Sequence, residues 1–524
     1  MTDQNNKASL DYDRATEILV GKSTKTETIR LKYANRHGLI SGATGTGKTV
    51  TLQKLAEEFS NAGVPVFAAD IKGDLSGVAS AGEGAPPFIR RAEEIGLKYE
   101  PDRFPVIFWD LFGEQGHPVR ATIMEMGPLL LAQLLELNDT QEGILNIAFK
   151  VADDHQWPVV DLKDLRALLN YLIEKQSEIK AKYGNVTKDS VGTIQRQILM
   201  LENQKGDLFF GEPALDINDF MRCDRDGRGY INILASDKLM SRPRLYASFL
   251  LWLLSQLFEI MPEVGDADKP KLVFFFDEAH LLFNNISKSL LSAIEQMVRL
   301  IRSKGVGVYF VTQNPLDLPE TVLGQLGNKV QHALRAYTPR DQRAVKAAAE
   351  TFRQNPAFSA EQVITELAVG EALVSTLQDK GAPSIVERTL IAPPFAHIGP
   401  VSEEERKSVM ADSPCRGKYD EAFDRESAYE ILSGRQQLEE KEETVEGPSG
   451  WWDNVLGTGS GSSEAENQNQ QSSSRQRRTG RQPVSPVETI LKTATTSLAR
   501  SVGTELARAI KRGILGSLTG RNRR

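Results

Sequence analysis

The residues with the most chemistry per position lie between His37 and Phe59. Gly42-Ala43-Thr44-Gly45-Thr46-Gly47-Lys48-Thr49 fits the pattern G-x-x-x-x-G-K-[ST]. In such a loop the glycines let the backbone wrap closely round a phosphate with its N–H groups pointing inward. The lysine reaches the β- and γ-phosphates, and the last hydroxyl binds Mg²⁺. Leu39 and Ile40 read as the end of a buried strand. Val50, Leu52, Leu55 and Phe59 recur near helical spacing, which sets the positive end of a helix at the same phosphates. The residues therefore predict a site for ATP and Mg²⁺. The plain alternative is a glycine-rich turn before an ordinary helix, and the strand and helix flanks weigh against it.

Phosphate chemistry at such a loop needs acids as well: oxygen ligands for Mg²⁺ and a group that orients the attacking water. "KLVFFFDEAH" (Lys271–His280) offers both. Leu272 to Phe276 is an unbroken apolar run, as expected of a central parallel strand covered on both faces. Asp277 follows at its carboxyl end as the metal acid, and Glu278 as the acid that polarises water. Read alone, Asp277 is equally a helix N-cap; the loop upstream favours the catalytic reading. The next strand, "GVGVYFVTQNP" (Gly305–Pro315), ends in Thr312-Gln313-Asn314, where the Gln313 side chain can touch the γ-phosphate.

Four segments, "NRHGLISGATGTGKT", "DIKGDLSG", "FDEAHLLF" and "RLIRSKGVGVYFVTQNP", together resemble the HerA/FtsK group of RecA-like ATPases, and within it the bacterial HerA-like DUF853 family. The resemblance covers about residues 30–400. It implies a RecA-like ATPase core, a ring-forming homo-oligomer (a hexamer) and DNA as the substrate to be moved or remodelled. It also implies roles for residues that spacing alone does not assign. Arg36, twelve positions before Lys48, contributes to nucleotide handling in such ATPases. Asp70, Lys72 and Asp74 of "AADIKGDLSG" line the nucleotide or subunit face; a plain turn about Gly73 is the competing reading. Arg299 and Arg302 of "EQMVRLIRSKGVG" lie where hexameric relatives carry an arginine finger for the neighbour's γ-phosphate. Arg302, nearest the "KGVG" turn, is preferred, and Arg335 and Arg340 are weaker candidates.

The rest of the chain must position these groups. Its 524 residues suggest about three domain-sized units, and 40% hydrophobic content with a net charge of −7 suits a soluble protein that does not coat DNA generally. A local basic channel stays open. Two cysteines, Cys223 and Cys415, have no metal-ligand spacing and predict a reducing, cytoplasmic setting. No Ser-His-Asp arrangement, CxxC pair or HExxH is present, and His280 after the acids has no partner histidine for a metal. The N-terminus is polar and acidic, unlike a signal peptide. "LYASFLLWLLSQLFEIM" (Leu245–Met261) is too short and too interrupted for a transmembrane segment and reads as a buried core helix.

Strands are predicted at Gly38–Ser41, Pro65–Asp70, Pro105–Trp109, Tyr230–Leu234, Leu272–Phe276, Val306–Thr312, Val330–Ala336 and Ala372–Leu377. They alternate with helices, the pattern of an α/β fold with a mostly parallel sheet. The expected order is an N-terminal extension (1–30), a first core part with the P-loop (31–125), a helical insertion (126–222) and a second core part with the acids and Gln313 (223–400). A helical extension (401–446) follows. Residues 447–486 are rich in Gly, Ser, Gln and Arg and predict a flexible linker. Val487–Arg524 predicts an amphipathic helix with eight lysines and arginines against two glutamates. Such a tail suits a protein partner, an acidic membrane surface or nucleic acid, or packs on its own core.

The combined expectation is an Mg²⁺-dependent ATPase on a RecA-like core. DNA translocation or remodelling is the first reading of its work. An ATP-gated scaffold, or a polypeptide-handling ATPase acting with a protein partner, is the alternative.

Overall fold

The computed structural model describes residues 10–434, apart from 266, 284 and 285. The linker and basic helix expected over 447–524 lie outside the described residues. Residues 10–428 of the described chain form one compact unit, to which the sheet and all the helices named here belong.

Twelve strands among the described residues make one sheet: β1 (Glu17–Lys22), β2 (Thr26–Arg30), β3 (Gly38–Ser41), β4 (Val66–Asp70), β5 (Val106–Asp110), β6 (His117–Pro118), β7 (Ile231–Ala235), β8 (Leu272–Phe276), β9 (Val306–Thr312), β10 (Asn328–Gln331), β11 (Glu371–Ser375) and β12 (Glu387–Ile391). Their order is β2-β1-β12-β11-β10-β3-β9-β8-β4-β7-β5-β6. From β10 to β6 every neighbouring pair is parallel. From β10 to β2 every pair is antiparallel. The architecture is an α/β, RecA-like one with a mostly parallel sheet and an antiparallel flank.

The residue types explain the parallel centre. β3, β4, β8 and β9 are buried at every position, so each is apolar without alternation. The helices are α1 (Lys48–Asn61), α2 (Pro86–Ile95), α3 (Ile123–Leu134), α4 (Asp139–His155), α5 (Leu162–Glu174), α6 (Gln176–Lys182), α7 (Lys188–Asn203), α8 (Pro243–Ile260), α9 (Lys288–Ile301), α10 (Glu320–Leu323), α11 (Pro339–Glu350), α12 (Ala360–Glu366) and α13 (Glu403–Ala411). Helices α3 to α7 fall between β6 and β7. Three of them start on capping boxes: Thr122 with Glu125, Asn138 with Gln141, and Asp161 with Asp164.

Helix α1 packs on the sheet through Leu52, Leu55, Ala56 and Phe59. The Phe59 ring meets Phe275 of β8 and Tyr309 of β9 at centroid distances of 6.2 and 5.9 Å, geometry that aromatic quadrupoles favour. The loop helix is thereby fixed to the two strands that carry the acids and Gln313. Helix α8 buries Leu245 to Leu254 without a break, which accounts for the apolar character of that stretch. Among the described residues no helix is long and apolar enough to cross a membrane.

Candidate nucleotide site

β3 ends at Ser41 and its chain must leave the sheet before α1 can begin. Gly42 makes that departure at φ 154°. A Cβ there would lie 2.5 Å from His332 Cβ, so only glycine fits. The Gly42 N–H donates to the Thr312 carbonyl (3.3 Å) and the Ala43 N–H to the Ala333 carbonyl (2.8 Å). The loop is thus anchored to the carboxyl ends of β9 and β10. Gly47, left-handed at φ 109°, turns the chain into α1, which makes Lys48 and Thr49 the first residues of the helix. Thr44 and Gly45 face solvent, and the Thr46 hydroxyl donates to the Ala43 carbonyl (2.7 Å).

Lys48 is buried, and its Nζ donates to the carbonyls of Gly42 (2.7 Å) and Ala43 (3.2 Å). Burial lowers its pKa, helped by Lys72 and opposed by Glu278 and Asp277. Loop lysine and strand acids therefore share one electrostatic environment. Only β9 separates β3 from β8, so the loop and the acids sit two strands apart at the carboxyl edge. Ligands of open α/β sheets bind at that edge.

Asp277 and Glu278 follow β8. Burial and the neighbouring Glu278 charge raise the pKa of Asp277. Glu278 adopts a left-handed conformation, φ 45°. Its carboxylate accepts from Lys72 Nζ at 2.7 Å and from Gln313 Nε2 at 3.3 and 3.2 Å, and His280 Nδ1 lies 3.5 Å away. Burial pushes its carboxyl upward, but the Lys72 ammonium and Gln313 outweigh this and hold it below the ordinary value. Asp70, at the end of β4 beside β8, accepts from the N–H groups of Gly73 (2.8 Å) and Leu75 (3.0 Å). Burial, with Asp277 nearby, pushes it up to about 6. Asp70 therefore fixes the turn that carries Lys72.

Beside the loop lies an open cleft of about 430 Å³, lined by Ala43, Thr44, Gln313, Asn314, Leu334 and Arg335 among others. Its lining thus includes both the exposed rim of the loop and Gln313.

The structure brings together Gly42 to Thr49, Asp277, Glu278, Gln313 and Lys72. It does not bring Arg36, Arg299 or Arg302 to them within the chain. Arg36 precedes β3, its guanidinium over the Tyr33 ring at 5.2 Å, and its carbonyl accepts from Gly327. Arg302 follows α9 and precedes β9; its carbonyl accepts from Asn35 Nδ2 at 3.4 Å. Both stand at the amino edge of the parallel strands. The seven residues of β9 put roughly 20 Å between that edge and Gln313. From that edge neither Arg36 nor Arg302 reaches the loop of its own chain. Of the weaker candidates, Arg335 lines the cleft and Arg340 is exposed on α11.

Sequence reasoning missed His332. It is buried, with Nε2 2.9 Å from the Thr51 hydroxyl and Nδ1 3.0 Å from the Glu371 carbonyl. Burial pushes its pKa down to about 4, so a neutral ring donates from Nδ1 and accepts at Nε2. A lone histidine in "VQHALRAY" gives no sign of this. Lys72 was singled out, but not as the partner of Glu278, because that pairing follows from β4 lying next to β8.

The family model of the helicase HerA-like C-terminal region matches residues 15–524. The chain is 24% identical over 370 residues to a probable helicase of Methanocaldococcus jannaschii, covering 68% of this chain and 66% of that protein. It is 23% identical over 367 residues to the DNA double-strand break repair helicase HerA of Saccharolobus solfataricus, covering 68% of this chain and 64% of that one. The chain thus spans a little under two thirds of the length of these curated relatives. Among solved structures, the plasmid coupling protein TrwB in complex with the non-hydrolysable GTP analogue GDPNP is similar in fold. The TM-score is 0.50 at 13% identity, over 76% of this chain and 94% of that one.

Proposed function

This chain belongs to the helicase HerA-like C-terminal family, and from that premise we propose that it hydrolyses ATP with Mg²⁺ at the Gly42–Thr49 loop. The observation that carries the reading is the convergence of Lys48, Asp277, Glu278 and Gln313 at one edge of the sheet.

The residues fit both ligands. Gly42 seats the loop closely against His332, where a Cβ would clash, and the loop ends in a helix N-terminus suited to phosphate. Lys48 leaves the two loop carbonyls for the β- and γ-phosphate oxygens. Thr49 and Asp277 would be the oxygen donors for Mg²⁺, a hydroxyl and a buried carboxylate being the hard ligands that ion takes. Bound there, Mg²⁺ supplies charge neutralisation at the phosphates. Glu278 orients a water and takes its proton as the water oxygen bonds to the γ-phosphorus and the bond to the ADP oxygen breaks. Gln313, hydrogen-bonded to Glu278, holds that carboxylate in place and reaches toward the γ-phosphate.

The relatives' names, a DNA repair helicase and a probable helicase, support coupling of hydrolysis to DNA. The position of Arg302 and Arg36, far from their own loop, supports a ring in which one copy completes its neighbour's site. The test is steady-state ATP hydrolysis with and without duplex, single-stranded and branched DNA, alongside a native mass measurement. Hydrolysis lost in Lys48→Ala and raised by DNA in an oligomeric wild type is the expected result. Hydrolysis indifferent to DNA but altered by a protein partner would replace the DNA reading with the scaffold or polypeptide-handling one.

A further inference from the structure

The Lys72–Glu278 pair joins two unequal partners. The Glu278 side chain is 5% exposed and its backbone is held in a left-handed turn, whereas the Lys72 side chain is 43% exposed. The backbone around Lys72 is also fixed, since the Asp70 carboxylate before it accepts from the N–H groups of Gly73 and Leu75 after it. The flexible four-carbon stem of Lys72 is therefore the part that can move. The two donors to Glu278 also differ in kind. Lys72 brings a full charge, and Gln313 a neutral amide. A carboxylate paired with an ammonium at 2.7 Å is a poor acceptor for a proton from water, while one held by an amide alone keeps its orientation and its basicity.

We propose that Lys72 is a positioning residue that restrains Glu278, and that a phosphate oxygen arriving at the carboxyl ends of β4 and β8 draws the ammonium away and frees the carboxylate for water. The inference rests on the reading of Glu278 as the water-orienting acid. A phosphate oxygen competes well for Lys72 because an ammonium is a mobile point charge that binds phosphate without a fixed geometry. Asp277 and Asp74 also act on Lys72, after Glu278, and together these carboxylates hold its ammonium protonated despite partial burial. The oxygen is that of a nucleic acid's phosphodiester backbone, because the γ-phosphate is present in every turnover and its capture of Lys72 would leave no restraint visible in kcat.

The experiment compares wild type, Lys72→Met, Lys72→Arg and Glu278→Gln in full-length protein. Initial rates are measured across ATP concentration, with and without a duplex oligonucleotide. Because Lys72 is nearly half exposed, its replacement leaves no buried cavity, and thermal unfolding checks that each variant is folded. Lys72→Met should raise kcat by about threefold or more while KM changes less than about twofold; Lys72→Arg should keep the restrained rate. If duplex stimulates wild type but adds nothing to Lys72→Met, the phosphodiester is the releasing anion. If duplex changes both by the same factor, or neither, release of Lys72 by a phosphodiester is overturned. A Lys72→Met rate equal to wild type, or depressed as far as Glu278→Gln, overturns the restraint. A folded wild type with no hydrolysis in any arm overturns the functional reading, and this inference with it.

Discussion

The His332 ring ties the end of β10 to the first turn of α1: Nε2 accepts from the Thr51 hydroxyl at 2.9 Å while Nδ1 donates to the Glu371 carbonyl at 3.0 Å. The same residue packs its Cβ against Gly42, and its neighbour Ala333 accepts from the Ala43 N–H. Loop and helix are thus braced from one side by two consecutive residues.

Replacing His332 by Ala should leave the Thr51 hydroxyl and the Glu371 carbonyl without partners inside the protein. The expected cost is about 1–3 kcal/mol of stability. Because the brace stands directly behind the loop, nucleotide affinity should fall more than kcat. Denaturant unfolding together with fluorescent-nucleotide titration measures both; unchanged affinity would show that the loop holds its shape without the ring.

Binding and chemistry should separate cleanly at two other positions. Lys48→Ala removes the phosphate-facing ammonium and should abolish nucleotide binding while the fold persists. Glu278→Gln keeps the side chain's size and should still bind ATP with Mg²⁺, but turnover should fall by about a hundredfold or more. Calorimetric titration and a phosphate-release assay on both proteins check this. Normal turnover in Glu278→Gln would remove Glu278 from its role.

Acid stability offers a test of the buried charges behind the loop. Glu57 of α1 is fully buried, accepts from the N–H groups of Phe395 (2.8 Å) and Ala396 (3.1 Å), and is pushed up to about 7, chiefly by burial. A raised carboxyl binds its proton more tightly in the folded state. Its contribution is present below the unfolded value near 4.5 and is lost as pH rises through about 7. His37 and His332, pushed down to about 4 by burial, act in the opposite sense. They stabilise above 6.5, and that stabilisation is lost as pH falls toward 4. In wild type these effects offset each other between pH 7 and 5. Glu57→Gln removes one side of the balance. Its stability should drop more steeply on going from pH 7.5 to pH 5, by about 2 kcal/mol relative to wild type. Urea unfolding at the two pH values measures the difference; parallel losses would place the Glu57 proton elsewhere.

Legibility in the sequence followed the range of the interactions. β3, β8 and β9 announce themselves as short apolar runs, followed by Gly42, Asp277 and Gln313 in turn, because central parallel strands are covered on both faces. Val330–Ala336 reads as one strand, but β10 stops at Gln331. There the partner strand β3 gives way to Gly42, and residues 332–334 turn to hold the loop instead. The hairpin of β1 and β2 carries only a weak alternation in "EILVGK" and "TETIR", and its partner β12 is far away in the chain, with Lys22 standing opposite Leu390. A pairing at that separation leaves no local mark. The same limit hid the contact of Lys72 with Glu278 and of His332 with Thr51. Each joins residues that only strand order makes neighbours.

Arg302 should act on a neighbouring copy. It stands at the amino edge of β9, roughly 20 Å of strand from Gln313, so its guanidinium cannot reach a phosphate on its own Lys48. A guanidinium supplied from outside the site accelerates phosphoryl transfer by roughly 10³–10⁵ where it has been measured in other enzymes. Arg302→Ala should therefore bind ATP normally and hydrolyse it poorly. Mixing inactive Arg302→Ala with inactive Glu278→Gln should restore part of the activity, since some interfaces then pair an intact Glu278 with an intact Arg302 from the adjoining copy. An arginine serving its own chain gives no such rescue, because every subunit then carries one broken half. Differently tagged chains and native mass spectrometry establish that subunits exchange before the rates are compared. Exchange without recovered activity would remove Arg302 from the role. The same mixture made with Arg299→Ala, and then with Arg36→Ala, would decide whether another arginine of that edge holds it.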